Sequence, residues 1–151
     1  MGYKVAILMG SPNDADQMAA AVETVERFGV EADVQVMSAH RNPHRVAEFA
    51  AAARDNGYSA IICGAGMAAH LAGAVASHTT LPVIGVPLSG GVLDGVDALL
   101  ATVQMPKGIP VATVAVDGAM NAALLAVQVL AVSDQPLAEA LAAYREEMAS
   151  R

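Results

Sequence analysis

Three short segments hold most of the reactive side chains of this 151-residue chain: Met9-Gly10-Ser11-Pro12-Asn13-Asp14, Ser38-Ala39-His40-Arg41-Asn42-Pro43 and Gly64-Ala65-Gly66-Met67-Ala68-Ala69-His70-Leu71. The first offers a hydroxyl and a carboxylate. The second offers a hydroxyl, an imidazole and a guanidinium fork, a set that suits phosphate and proton transfer together. The third is nearly bare backbone followed by a second imidazole, so a ligand can approach the main chain closely. Together they suit a phosphorylated small molecule and acid–base chemistry on it.

Each segment also has a plainer reading. Ser11-x-x-Asp14 matches a capping box with Asp in place of the usual Glu, although a helix N-terminus can equally hold phosphate or ribose. Asn42-Pro43 reads as helix capping. Gly64-Ala65-Gly66 is also what a tight strand-to-helix turn requires. His70, in the first turn of the next helix, is open between core and site. His44 and His78 read as surface helix residues, Cys63 as a small core residue, and Lys107 as a solvated loop cation. Ser89-Gly90-Gly91 can form a further small-residue wall.

The elements that must position these segments alternate regularly. Strands are expected at Lys4 to Met9, Val30 to Met37, Tyr58 to Cys63, Pro82 to Val86 and Val111 to Val116. The first helix is capped by Ser11 with Pro12 at its first position, runs to about Phe28 and stops at Gly29. Further helices are expected over Pro43 to about Asn56, Met67 to Ser77, and Gly118 to Ala131. Val92, Val96, Leu99, Leu100 and Val103 fall at helical spacing, giving an amphipathic helix. Leu137, Leu141, Tyr144 and Met148 mark a final helix starting near Pro136.

Strand–helix alternation at this spacing predicts a single α/β domain over residues 1–151, built as a three-layer α/β/α sandwich. Right-handed crossovers favour a flavodoxin-like parallel sheet of five strands in the order 2-1-3-4-5, with a C-terminal helix. In such a sheet ligands bind outside the carboxyl ends of the strands. The order places the first strand between the second and third, so the three segments become neighbours.

Composition narrows the partners. Only 15% of residues are charged against 55% hydrophobic, well below the roughly 25% charged of an average soluble domain. Buried subunit contacts are the simplest remedy, so a homo-oligomer is expected. The apolar runs are too broken for a membrane span of roughly 20 residues, and no signal-peptide pattern follows Met1. A net charge of −7 without a basic cluster argues against nucleic acid and acidic membranes. One Cys and no Trp leave no internal disulfide, no Cys-based metal cluster and little aromatic surface for a flavin, and fit a reducing cytoplasm.

Taken together, MGSPNDADQM, SAHRNPHRV, GAGMAAHLAGAVASHTTLPVIGVP, LDGVDALLATVQMPKGIPVATV and NAALLAVQVL resemble the class I N5-carboxyaminoimidazole ribonucleotide mutases of purine biosynthesis, in order and over nearly the whole chain. The resemblance implies an enzyme that moves a carboxylate from the substrate's exocyclic nitrogen to ring carbon C4, giving 4-carboxyaminoimidazole ribonucleotide. It would do so by decarboxylation, retention of CO2 and recarboxylation. His40 would be the general acid/base. Ser11 and Asp14 would hold the ribose phosphate part, Ser38 and Arg41 the phosphate, and Gly66, Ala68, Ala69, His70 and Leu71 the imidazole and carboxylate pocket. The resemblance also implies no metal, biotin or nucleotide cofactor, and a homo-octamer. Met67 and Ala72 depart from it, standing where many members have Gly and Pro.

The nearest rival within the fold is the class II enzyme, which carboxylates aminoimidazole ribonucleotide directly with CO2; it typically lacks the Ala-Ala-His-Leu stretch. A non-catalytic phosphate-binding or signalling module is the remoter alternative. A phosphoacceptor receiver would want an acidic pair after the first strand and an Asp ending the third, where this chain has Met9-Gly10 and Cys63-Gly64.

Overall fold

The computed structural model describes residues 2–151. Five parallel strands, β1 (Lys4–Met9), β2 (Glu31–Val36), β3 (Ala60–Gly66), β4 (Val83–Leu88) and β5 (Ala112–Thr113), form one sheet in the order β2-β1-β3-β4-β5. The helices are α1 (Ala15–Arg27), α2 (Pro43–Ala52), α3 (Leu71–Ala76), α4 (Val96–Val103), α5 (Ala119–Ala131) and α6 (Gln135–Ala149).

The inner strands are apolar on both faces, as helices on both sides demand. Along β1 the strand period divides the core. Val5, Ile7 and Met9 join Met18, Val25, Ala122 and Val127 under α1 and α5, whereas Ala6 and Leu8 join Met37, Val46, Leu71 and Val75 under α2 and α3. The edge strand β2 is only partly buried, with Val34 and Val36 exposed.

The expected architecture and strand order are present; several boundaries move. A 3-10 turn over Pro12–Asp14 precedes α1, so the α-helix proper starts at Ala15. The third and fourth strands run on to Gly66 and Leu88, pairing Ala65 with Pro87 and Gly66 with Leu88. Consequently Met67 to His70 is loop rather than helix, and α3 begins only at Leu71. Helix α2 ends at Ala52, four residues short of Asn56. Strand β5 keeps only Ala112 and Thr113 of its expected six residues. Val114 N–H still reaches Gly85 O at 3.2 Å, but the chain then turns at Ala115 to Gly118.

The apolar stripe of α4 faces the other way from the core. Its buried residues are Ala98 and Thr102, while Val96, Leu100 and Val103 are about half exposed and Val92, before the helix, is fully exposed. The cause lies in β4. Gly85 leaves a groove that Thr102 fills so closely that a Cβ on Gly85 would overlap Thr102 Cγ2. The Thr102 hydroxyl donates to Ala98 O at 2.7 Å, so this buried polar group is satisfied within the helix. A narrow face of small residues docks closely, and the larger side chains are left outside.

Candidate active site

The carboxyl ends of β1, β2, β3 and β4 open into one cavity of about 370 Å³, a size suited to a small ligand. Gly10, Ser11 and Asp14 line it after β1, Ser38 to Arg41 after β2, and Gly66, Met67, Ala68, His70 and Leu71 after β3. Ser89, Gly90 and Gly91 close it after β4. The topology thus brings together residues far apart in sequence.

Local bonding fixes the first two loops. Ser11 Oγ accepts Asn13 N–H at 3.2 Å, capping the 3-10 turn. As N-cap of α1, Asp14 makes no side-chain cap bond, and its carboxylate lines the cavity. Partial burial raises the Asp14 carboxyl above its ordinary value, against a smaller lowering by the Ser11 backbone N–H acting on the carboxylate. In the second loop Ser38 Oγ accepts Arg41 N–H at 3.1 Å, and Asn42 Oδ1 accepts Ser38 N–H at 3.3 Å. Asn42 therefore ties the loop to itself instead of capping α2 with its side chain. The Arg41 side chain is exposed and has no ion pair among the described residues, where the ion pairs join Glu147 to Arg27 and Arg151.

The two loop histidines meet. His40 Nε2 and His70 Nδ1 lie 2.8 Å apart, with ring centroids 5.0 Å apart and planes at 81°. A bond between two ring nitrogens holds one proton, donated by one ring and accepted by the other. His70, left open between core and site by the sequence, is exposed at the N-cap of α3 and lines the cavity.

Of the residues singled out in advance, Ser11, Asp14, Ser38, His40, Arg41, Gly66, Ala68, His70 and Leu71 all line this cavity. Ala69 does not: it is buried at 2% exposure, with its N–H on Met67 O. His44, His78 and Lys107 are exposed outside the cavity lining, and Cys63 is buried in the sheet with its thiol pushed up by desolvation. Met67 adopts the left-handed φ of 49°, and its Cγ and Sδ would lie 3.0 Å from a Cβ on Gly91. The third loop therefore rests on the fourth.

Two residues were missed by sequence reasoning. Asp117, beyond β5, accepts bonds from Ser89, and Gln17 of α1 reaches both. Asp117-Gly118, a turn signal following a strand's carboxyl end, could have drawn attention to Asp117. Gln17 carries no comparable signal.

Fold and site together define an α/β protein of doubly wound type, with an imidazole pair and an exposed guanidinium around a small-ligand cavity at the strands' carboxyl ends. The chain belongs to the AIR carboxylase family, which it matches over residues 4–151. It is 50% identical over 145 residues to the N5-carboxyaminoimidazole ribonucleotide mutase of Saccharolobus solfataricus, covering 96% of this chain and 92% of that one. It is also 50% identical over 143 residues to the chloroplastic phosphoribosylaminoimidazole carboxylase of Vigna aconitifolia, but these are only 26% of that longer protein. The crystal structure of Treponema denticola PurE superposes with a TM-score of 0.89 at 27% identity, covering 99% of this chain and 93% of that one.

Proposed function

We infer that this chain is an N5-carboxyaminoimidazole ribonucleotide mutase, an isomerase of purine biosynthesis that converts its substrate to 4-carboxyaminoimidazole ribonucleotide. The observation that carries the site assignment is the His40–His70 contact at 2.8 Å beside Ser11, Asp14, Ser38 and Arg41. In this reading Arg41 and Ser38 hold the phosphate, and Ser11 and Asp14 hold the ribose phosphate part. Gly66, Ala68, Ala69, His70 and Leu71 form the imidazole and carboxylate pocket, Ala69 by fixing the loop from behind.

The proton balance is simple. The carbamate C–N bond breaks with its electron pair left on nitrogen, and His40 protonates that nitrogen as CO2 leaves. Ring carbon C4, electron-rich through the adjacent amine, then attacks CO2 and forms the new C–C bond. His40 finally removes the C4 proton, which restores the aromatic ring and its own starting charge. No net proton is taken up, so one imidazole serves as acid and then base. Apart from His70, the third and fourth loops present small or apolar residues, which would limit water around the CO2.

We further infer that residues 1–151 act as one mutase domain in a cytoplasmic homo-octamer. The exposed apolar face of α4 and the low charge content support assembly. Among the described residues, no helix is long and apolar enough to cross a membrane.

The deciding experiment offers the purified protein the carbamate substrate and, separately, aminoimidazole ribonucleotide with bicarbonate at physiological concentration. Rapid conversion of the carbamate is expected. Rapid conversion of the second mixture alone would assign the direct carboxylase activity instead.

A further inference from the structure

The fourth loop has its own support. Gly90 and Gly91 take φ values of 137° and 68°, which glycine adopts freely and other residues only under strain. Two such residues in series are a pliable wall unless something holds them. Ser89, immediately before them, is held by Asp117: Oδ1 accepts Ser89 N–H at 2.9 Å and Oδ2 accepts the Ser89 hydroxyl at 2.5 Å. Gln17 Nε2 donates to the same Oδ1 at 3.0 Å and lies 3.3 Å from both Ser89 O and Ser89 Oγ.

Asp117 occupies a costly conformation to do this, with φ of 58°, although Asp tolerates the left-handed region better than most residues. Its own N–H donates to Pro87 O at 2.8 Å, so backbone and side chain both grip the end of β4. Partial burial disfavours its charge, but the donors from Ser89 and Gln17 outweigh that and hold the carboxyl below its ordinary range. The three segments are separated by up to 100 residues, so the network joins α1 and the ends of β4 and β5. Beyond Gly91 sits Met67 of the third loop.

We propose that Asp117 and Gln17 are positioning residues for the carboxylate transfer, clamping Ser89 so that Ser89-Gly90-Gly91 forms a fixed wall of the cavity and a fixed seat for Met67. This rests on reading the cavity as the mutase site. Neither residue needs to touch the substrate.

The test compares Asp117→Gly, Asp117→Asn and Gln17→Ala with the wild type in the full assembly. Glycine keeps the left-handed backbone and removes the acceptor. Asparagine keeps the backbone and can accept the Ser89 N–H while its amide donates to the Ser89 oxygen. D117G should lower kcat/KM about 10- to 100-fold, the scale of a misplaced reacting group, chiefly in kcat because the phosphate ligands are untouched. D117N should recover to within about 3-fold, since it restores bonds of the same order as those lost. Q17A should reduce the rate in the wild-type background but add little to D117G, as expected of coupled partners.

Hydrogen–deuterium exchange of the peptide spanning residues 88–92 supplies a readout independent of turnover. It should accelerate in D117G and remain slow in D117N, with thermal melting confirming folded protein throughout. Unchanged exchange in D117G, or D117N as impaired as D117G, would overturn the clamp. A wild type without carbamate turnover would instead overturn the functional reading, while the exchange data would still decide the clamp.

Discussion

At the scale of single residues the proposed roles separate acid–base work from binding. His40→Asn keeps a polar side chain of similar reach but cannot cycle a proton at neutral pH. It should lower kcat by about 10²- to 10⁴-fold, the usual contribution of a general acid–base group, while calorimetry finds ribonucleotide binding nearly intact. Arg41→Ala should show the opposite pattern, a raised KM with a smaller change in kcat, because its guanidinium, without an ion pair among the described residues, is proposed to hold the phosphate. Asp14 offers a subtler case. Partial burial raises its carboxyl, so its contribution to stability is fully present below its unfolded pKa and lost as pH rises through the folded value. At neutral pH the ionised group is therefore a liability to the free protein. Asp14→Asn should melt at a higher temperature than wild type at pH 7, with the gap closing near pH 4, the ordinary carboxylate range. The same variant should bind substrate more weakly, which a titration would show.

At the scale of elements, Gly85 sets how α4 meets the sheet. A methyl there would overlap Thr102 and lie within 3.2 Å of Val111 Cγ1 and Ala72 Cβ, with Thr102 already pinned by its bond to Ala98 O. Gly85→Ala should destabilise the fold by about 1–3 kcal/mol, the range for overpacked cores, seen as a lower denaturant midpoint. This contact also shows where sequence reading stops. The strands were legible because Gly, Pro and apolar runs punctuate them, and their order followed from chain handedness. The three loops were legible because strand ends collect ligand residues. Which face of α4 docks was not, since a stripe of Val and Leu looks like core until Gly85 is known to lie opposite Thr102. Helix α3 starts late because β3 pairs with β4 as far as Gly66, a tertiary extension with no local signal. The Gln17–Asp117 bond was illegible for the same reason, because no spacing rule links residues 100 positions apart.

At the scale of the whole molecule, the displaced apolar face asks for a partner. Val92 is fully exposed, and Leu93, Val96 and Leu100 are each more than half exposed on one continuous stretch of chain. This stretch begins directly after Ser89-Gly90-Gly91, so covering it would also brace the fourth wall of the cavity. If copies of the chain pack there, assembly and activity are coupled, and both depend on the apolar character of α4. Leu100→Glu leaves the buried Ala98 and Thr102 face untouched and should not unfold the subunit. It places a charge where desolvation would be uncompensated in an interface. Sedimentation should find the wild type near eight times the mass of the 15.3 kDa chain and the variant as smaller species with unchanged helical content. The variant's activity should be low and should rise with protein concentration as mass action restores the contact. A variant that remains fully assembled would place the subunit interface elsewhere and leave this face of α4 open to solvent.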